Sequence, residues 1–200
     1  MTTNPAIVLH DTQVWLERAV IGLNLCPFAK AVHAKRQVHY AVSTATGPEV
    51  LLDDLRRELV GLVAQPPAAR DTTLLVVPDC LVDFLDFNDF LVLADRTLSD
   101  VGLDGVIQIA ALHPAFQFAG TRPDDIGNYS NRAPYPTLHL LREDSVDRAV
   151  KAFPQAETIF EANIRTLQNL GVAGWKALGV GASAPEPAPN DQTPGPPVST

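Results

Sequence analysis

The sequence predicts an α/β fold in which a mixed, mainly parallel sheet of about four strands is flanked by helices. Stretches with apolar residues at helical spacing alternate along the chain with short strand-like runs. Two of those runs, over residues 72–77 and 105–112, are nearly continuous in apolar residues, as strands buried on both faces are. The chain has 200 residues, 46% of them hydrophobic, which is enough for one sizeable core.

The predicted element order is α-β-α-β-α-β-β-α-α. Helices between successive strands imply right-handed crossovers and parallel strands, whereas the last strand follows its predecessor without a helix and is expected to run antiparallel to it. We expect a lead-in over residues 1–10, a single-domain sandwich over residues 11–178 and a disordered tail over residues 179–200. The tail is rich in proline and has almost no large apolar groups to offset its ordering entropy.

The chain is predicted to begin with two helices. Residues 11–23 place apolar side chains on one helical face, with Asp11 or Thr12 as the N-cap. The residue before a proline is biased out of the α region, so the chain is expected to turn there and to restart as a helix with Pro27 at its first position. This arrangement would make Cys26 the N-cap of the second helix.

Periodicity and turn residues predict the remaining elements. In chain order they are a strand over residues 37–43, a helix over 48–64, a strand over 72–77, a helix over 83–101, strands over 105–112 and 137–141, and helical segments over 145–153 and 154–170. The helix over 48–64 has the clearest signature, because a capping-box pattern over residues 46–49 precedes leucines at three- to four-residue spacing. Pro154 is expected to break the last two segments and Gly171 to close the chain's last helix.

Residues 113–136, between the last two strands, form the most informative stretch. Loops of more than about a dozen residues in compact domains are usually functional or disordered, and the aromatic residues here argue against disorder. The loop opens at the carboxyl end of a buried strand, where α/β sheets place ligands. The candidate ligand-binding groups within it are Thr121, Asn128, Tyr129, Asn131 and Arg132. These groups either bind a ligand, with the Arg132 guanidinium suited to a carboxylate or phosphate, or brace the loop through side-chain to backbone hydrogen bonds.

Cys26 is the candidate nucleophile. At a helix N-cap, with Lys30 one turn further on, its thiolate form would be favoured. The alternative is that it is a small buried hydrophobe. Ala29 stands where a Cys-x-x-Cys motif would have its second cysteine, which excludes dithiol exchange within this motif.

Three hypotheses about function follow. The first is an enzyme that acts on a small anionic molecule by thiol-dependent group transfer or hydrolysis. In it Cys26 is the nucleophile and His113 the general base, Asp124 or Asp125 orients that base, and Arg132 with Lys30 binds the anion. The second is a non-catalytic domain that binds a ligand or a protein through the same loop. The third is a redox-responsive protein that uses its two thiols, Cys26 and Cys80.

Composition excludes several other classes. A net charge of −8 and a pI near 5.0, with no basic stripe, argue against nucleic acid as a partner. The lack of a signal peptide and of an apolar run of roughly 18 residues argues against export and membrane insertion, and two cysteines suit the reducing cytoplasm.

The candidate metal ligands match no strong metal-ligand spacing; they are His113, His139, Asp124 and Asp125. Neither a metal nor another cofactor is therefore expected. The oligomeric state is left open.

The chain shows two resemblances to known groups of proteins. From residue 37 onward the element order resembles the thioredoxin-like order βαβαββα, although the cysteine motif of those proteins follows the first strand and Cys26 precedes it. Several segments also resemble a bacterial family known as domain of unknown function 1415. These are residues 15–16, 23–29, 105–110, 113–114, 116–121, 128–136 and 138–142. The second resemblance spans roughly residues 10–178 and implies no activity, cofactor or catalytic residue.

Overall fold

The computed structural model describes residues 3–152 and 158–183, which form one four-stranded sheet with helices on both faces. The strands in chain order are β1 (Val38–Val42), β2 (Thr72–Val76), β3 (Ile107–Leu112) and β4 (Thr137–Arg142). Their order across the sheet is β1-β2-β4-β3. The pairing of β1 with β2 is parallel, and β4 is antiparallel to both β2 and β3.

This topology confirms the predicted α/β class, the mixed four-stranded sheet and the antiparallel last strand. Strands β1, β2 and β3 point the same way, as expected for a mainly parallel sheet, but β1 and β2 form the one parallel pair among the described strands. The reason is that β4 lies between β2 and β3, so both of its hydrogen-bonded ladders are antiparallel.

The helices agree with the predicted periodicity except near the two ends of the chain. Within the described residues they are α1 (Pro5–Trp15), the π segment (Leu16–Ile21), α2 (Ala29–Ala34), α3 (Pro48–Val63), α4 (Phe84–Asp100), the 3₁₀ turn (Ile126–Asn131), α5 (Glu143–Ala152) and α6 (Ile159–Ala177). Helix α6 passes the predicted end at Gly171, where a φ of 64° kinks it before a further helical stretch. The predicted break at Pro154 and residues 184–200 of the predicted tail lie outside the described residues.

Helix α1 begins six residues ahead of the predicted start. The Asn4 side chain caps it by accepting a hydrogen bond from the Ala6 N–H at 2.9 Å, and Pro5 takes the first helical position. The predicted cap Asp11 is instead buried within the helix, where it accepts hydrogen bonds from Tyr135 Oη and from the Ser183 N–H and hydroxyl at 2.7–2.8 Å. Burial and the nearby carboxylate raise the pKa of Tyr135, which keeps its hydroxyl a donor at neutral pH.

The second helix also starts later than predicted, and this corrects the environment assigned to Cys26. Helix α2 begins at Ala29 with Phe28 as its N-cap, and residues 26–29 form a turn closed by a hydrogen bond from the Ala29 N–H to the Cys26 carbonyl at 3.1 Å. Cys26 is therefore not an N-cap, and the helix-terminus argument for its thiolate form does not apply.

Strand alternation divides the core into two layers. On one side, here called the α3/α4 face, Leu75, Leu138 and Leu140 meet the buried leucines of α3 and the phenylalanines of α4. On the other side, the α1/α6 face, Leu74 and Val76 meet α1, the π segment and α6. The side chain of a strand residue can face only one of these layers, which decides below which site residues come together.

Candidate functional site

The loop over residues 113–136 is ordered around Asn128, which is 0% exposed. Its Oδ1 accepts a hydrogen bond from the Phe118 N–H at 3.0 Å and lies 2.9 Å from the Thr121 hydroxyl, and its Nδ2 donates to the Arg122 carbonyl at 2.8 Å. The Thr121 hydroxyl also lies 2.7 Å from the Phe118 carbonyl. Two predicted ligand-binding residues, Thr121 and Asn128, therefore satisfy each other and the loop backbone.

Arg132, predicted to bind an anion, is also used inside the loop. Its Nε donates to the Phe116 carbonyl at 3.2 Å and its Nη2 to the Pro123 carbonyl at 2.7 Å. The guanidinium carbon lies 4.4 Å from the centroid of the Tyr129 ring, a cation–π contact, and that ring meets Trp175 edge-on at 5.1 Å. The guanidinium and the tyrosine thus hold the loop together and against α6.

The other polar groups predicted for the loop site have similar structural partners. Asp125 Oδ1 accepts from the Gly127 N–H at 2.8 Å and caps the 3₁₀ turn. Asp124 is 72% exposed and pairs with Arg122 at 3.1 Å, and the Asn131 side chain accepts from the Ser130 hydroxyl at 3.0 Å. Lys30 is exposed on α2.

His113 lies on the α3/α4 face and is 1% exposed. Its Nδ1 accepts a hydrogen bond from the Ala115 N–H at 3.0 Å, so Nε2 carries the proton and donates to the Leu81 carbonyl at 3.1 Å. The ring lies between Phe84 and Phe87, with centroid distances of 5.3 and 5.1 Å, and burial lowers its pKa. Both ring nitrogens are therefore occupied.

Cys26 packs on the opposite face of the sheet, with the cluster of α1 and α6. The structure places it across the sheet from His113, whose two ring nitrogens contact Leu81 and Ala115 and not Asp124 or Asp125, so the predicted arrangement of nucleophile, base and orienting carboxylate is not formed. The physical reason is the alternation of β3. Ile107, Ile109 and Ala111 point to the α3/α4 face, and His113 continues that series.

A cavity of about 580 Å³ lies on the α1/α6 face and has Cys26 in its wall. We call it the sheet cavity. Its floor is the sheet, its roof is formed by the π segment, residues 25–32 and α5, and Trp15, Leu16 and Leu74 make most of its lining apolar. The space exists because the roof is irregular and because α5 presents small side chains to it, among them Ala149. Its volume lies within the range of roughly 300–1,000 Å³ usual for small-molecule sites.

Four of the polar groups in the described lining lie away from its α5 end and interrupt this apolar surface. Cys26 and Ser130 lie in the wall, and Thr72 and His139 lie in the floor. His139 Nε2 lies 2.8 Å from the Thr72 hydroxyl oxygen, and that oxygen lies 2.7 Å from the Leu140 carbonyl. Burial lowers the pKa of His139 to about 4, so the ring is neutral at pH 7.

Charged groups lie at the α5 end of the cavity, and each has partners in the protein. The Arg142 guanidinium donates to the carbonyls of residues 62, 65 and 70. Asp71 Oδ1 accepts from the Ser145 hydroxyl at 2.6 Å. These contacts fasten β4 and α5 to the segment before β2. Gln108, on the edge strand β3, is exposed at the same rim.

Sequence reasoning did not assign His139 to the site, although a signal was present. In the run Leu138-His139-Leu140 the two leucines are buried on the α3/α4 face, so the histidine between them must face the other way. What the sequence could not supply was the shape of the cover above it, which depends on how the π segment, α2 and α5 pack.

Both cysteines are free thiols. Cys80 belongs to the cluster on the α3/α4 face, where burial raises its pKa, whereas Cys26 lies on the α1/α6 face. The sheet separates the two, so a direct disulfide between them would require a rearrangement of the backbone. Within residues 3–152 and 158–183, no group of three or more His, Cys, Asp or Glu side chains is arranged to hold a metal ion.

The structure is that of an α/β protein with a half-open, mainly apolar cavity on one face of its sheet. The chain belongs to the family described as "Protein of unknown function (DUF1415)", whose model matches residues 7–177, and this confirms the resemblance stated from the sequence. No curated protein and no solved structure gives a significant match. Among the helices of the described residues, none is long and apolar enough to cross a membrane.

Proposed function

We propose that this protein binds a small, mainly apolar molecule in the sheet cavity. The observation that carries the proposal is the cavity itself, about 580 Å³ of space with apolar walls and a hydrogen-bonded Thr72–His139 pair in its floor. A concave, mostly apolar space with a few convergent polar groups is the usual form of a small-molecule site, in which burial supplies affinity and the polar groups fix orientation.

This proposal replaces the anionic ligand expected from the sequence. The Arg132 guanidinium, which motivated that expectation, is engaged by two carbonyls and a tyrosine ring inside the loop. Among the described lining residues Arg142 is the one cation, and it donates to three carbonyls. An anion in the sheet cavity would lose its hydration without gaining a cation that is available to it.

Thiol-dependent group transfer or hydrolysis is the second candidate function, favoured by the presence of Cys26 and a neutral histidine in the lining of the same cavity. In this reaction Cys26 Sγ bonds to the carbonyl carbon of an ester while the thiol proton passes to His139. The C–O bond then breaks, and the leaving oxygen takes that proton. Attack of water on the thioester releases the acid and restores the thiol.

The same proposal includes the cellular location of the protein. We place the protein in the bacterial cytosol, since the resembling family is bacterial and since both cysteines are free thiols on opposite faces of the sheet.

Binding is tested by titrating the ¹⁵N-labelled protein with 4-phenylphenol and following its amide resonances. We expect shifts at residues 25–32, 72–74 and 139–149, which surround the sheet cavity. Ala149→Leu places a larger side chain in the cavity and is expected to weaken binding, so that the shifts shrink at a given ligand concentration. Ala173→Leu makes the same change on the exposed side of α6 and should leave them intact. Shifts spread over the surface, or shifts unaffected by Ala149→Leu, would contradict binding in this cavity.

The catalytic candidate is tested with 4-nitrophenyl butyrate. A thiol nucleophile releases nitrophenol in a burst equal to the protein concentration, followed by slower turnover. Cys26→Ala should remove the burst, whereas Cys80→Ala, which changes the thiol on the other face, should keep it. If no burst occurs in the unmodified protein, the catalytic candidate fails and the binding proposal stands alone.

A further inference from the structure

We infer that His139 presents a bare Nδ1 lone pair to the sheet cavity and selects ligands that carry an uncharged hydrogen-bond donor, a hydroxyl or an N–H, on an apolar body. This inference rests on the proposed binding function and names the chemical class of its ligand. It is argued from the hydrogen bonds of three neighbouring groups: the Thr72 hydroxyl, the Leu140 carbonyl and the His139 ring.

The Thr72 hydroxyl fixes the tautomer of His139. A hydroxyl has one proton, and Thr72 Oγ1 lies 2.7 Å from the Leu140 carbonyl oxygen, which can only accept. The proton of Thr72 is therefore committed to Leu140. In the 2.8 Å contact between Thr72 and His139, the hydroxyl must accept and the Nε2–H of His139 must donate.

The remaining nitrogen of the ring is then an acceptor. With the proton on Nε2 and the ring neutral, Nδ1 carries an exposed lone pair, and it has no hydrogen-bond partner among the described residues. Within that part of the chain the one buried side-chain polar atom without a partner is Tyr40 Oη, so Nδ1 is still reached by solvent. Because His139 lines the cavity and β4 is an interior strand, that access is through the sheet cavity.

This arrangement discriminates between ligands of the same shape. A phenol or alcohol can donate to Nδ1 while its apolar body covers the surrounding walls. The matching ether has no proton to donate, and a carboxylate would place negative charge against the lone pair without a free cation nearby. The polar contact thus sets specificity, whereas the apolar walls supply most of the affinity.

Three probes with one body test the inference by calorimetric titration: 4-phenylphenol, 4-methoxybiphenyl and biphenyl-4-carboxylate. We expect the phenol to bind about ten times more tightly than the ether, the effect of one hydrogen bond, and the carboxylate to bind most weakly. In His139→Phe, which keeps a flat apolar ring, the phenol and the ether should bind equally. Equal binding of the two to the unmodified protein overturns this inference but leaves the proposed function standing. Failure of all three probes to bind overturns both.

The tautomer is tested on the unligated protein without any variant of His139. Long-range ¹H–¹⁵N correlation spectra at pH 7 should show His139 with its proton on Nε2. Thr72→Val removes the acceptor and should give a mixture of tautomers, whereas Thr72→Ser keeps the hydroxyl and the single tautomer. His113 serves as the internal control, because its Nε2–H tautomer is fixed by Ala115 and should not change in either variant. A proton on Nδ1 of His139 in the unmodified protein overturns the inference.

Discussion

The two faces of the sheet are covered by different kinds of structure. The α3/α4 face meets two regular helices of 16 and 17 residues, whose leucines and phenylalanines fill the space above the strands. The α1/α6 face is covered in part by a π segment, a helix of six residues and the small side chains of α5, and it contains the sheet cavity. Long amphipathic helices can match a strand surface residue by residue, whereas short irregular elements leave space for a ligand.

The loop over residues 113–136 and the floor of the sheet cavity differ in how far their polar groups are satisfied by hydrogen bonds. The loop has more polar side chains, but Asn128, Arg132 and Asp125 have their hydrogen bonds satisfied by the loop itself. The cavity floor has few polar side chains, yet the Nδ1 atom of His139 has no hydrogen-bond partner among the described residues. Under the proposed function, unused hydrogen-bonding capacity, and not the density of polar residues, marks the binding site.

The largest effect is expected where the loop is braced. Asn128→Ala removes the acceptor of the buried Phe118 N–H and the donor to the Arg122 carbonyl, and should lower the free energy of unfolding by about 3 kcal/mol in urea denaturation. Asn128→Asp keeps an acceptor but buries a carboxylate against the Arg122 carbonyl, and should cost at least as much at neutral pH. If the alanine variant is as stable as the unmodified protein, the loop is not held as described, and a role for it in binding ligand becomes the better explanation.

The pH dependence of the free energy of unfolding tests whether the His139 ring is buried in its neutral form. Its pKa is about 4 in the folded protein and 6.5 when unfolded, so the unfolded chain binds more protons between these values. Stability should be full above pH 6.5, fall as the pH drops towards 4 and level off below it. We expect a loss of about 2 kcal/mol, less than the full shift implies, because solvent reaches the ring through the cavity.

The control for this titration is the variant His139→Gln. His113 also has a lowered pKa and contributes a slope of the same sign, so only the difference between the unmodified protein and the variant isolates His139. Stability measured by urea denaturation at intervals from pH 4 to pH 7.5 gives that difference. Parallel curves for the two proteins would mean that burial does not keep the His139 ring neutral.

The sequence predicts those features of the two sheet faces whose signal lies within one segment of the chain. It does not predict those that depend on how distant segments pack together. The α3/α4 face can be predicted from the sequence because its signals are local. The leucines of α3 recur at helical spacing, and β2 is a continuous apolar run within one short segment. The predicted start of α1 is wrong because the cap at Asn4 and the proline after it lie in the stretch expected to be a lead-in. The sequence correctly places Cys26 near a turn, but its predicted partner His113 lies on the other face of the sheet. His139, which does share its cavity, has the sequence pattern of an ordinary strand residue.

The filled and open faces can be compared directly by one substitution made on each. Ala94→Leu adds volume to the closely packed α3/α4 face and should cost about 1.5 kcal/mol of stability. Ala149→Leu adds the same volume to the wall of the sheet cavity and should leave stability unchanged or slightly raised. Thermal unfolding of both variants measures the difference. Equal losses would show that the cavity wall is as tightly packed as the opposite face.

The smallest effect is expected at Asp124, which the sequence suggests as an orienting carboxylate. Its contact with Arg122 is between two exposed groups, so solvent and salt screen it, and Asp124→Asn should change stability by less than about 0.5 kcal/mol. The same variant should leave the affinity for 4-phenylphenol unchanged, because Asp124 does not line the sheet cavity among its described residues. A Thr72→Val variant measured alongside it should weaken that affinity. If instead Asp124→Asn weakens binding and Thr72→Val does not, the ligand site lies on the loop and not on the sheet.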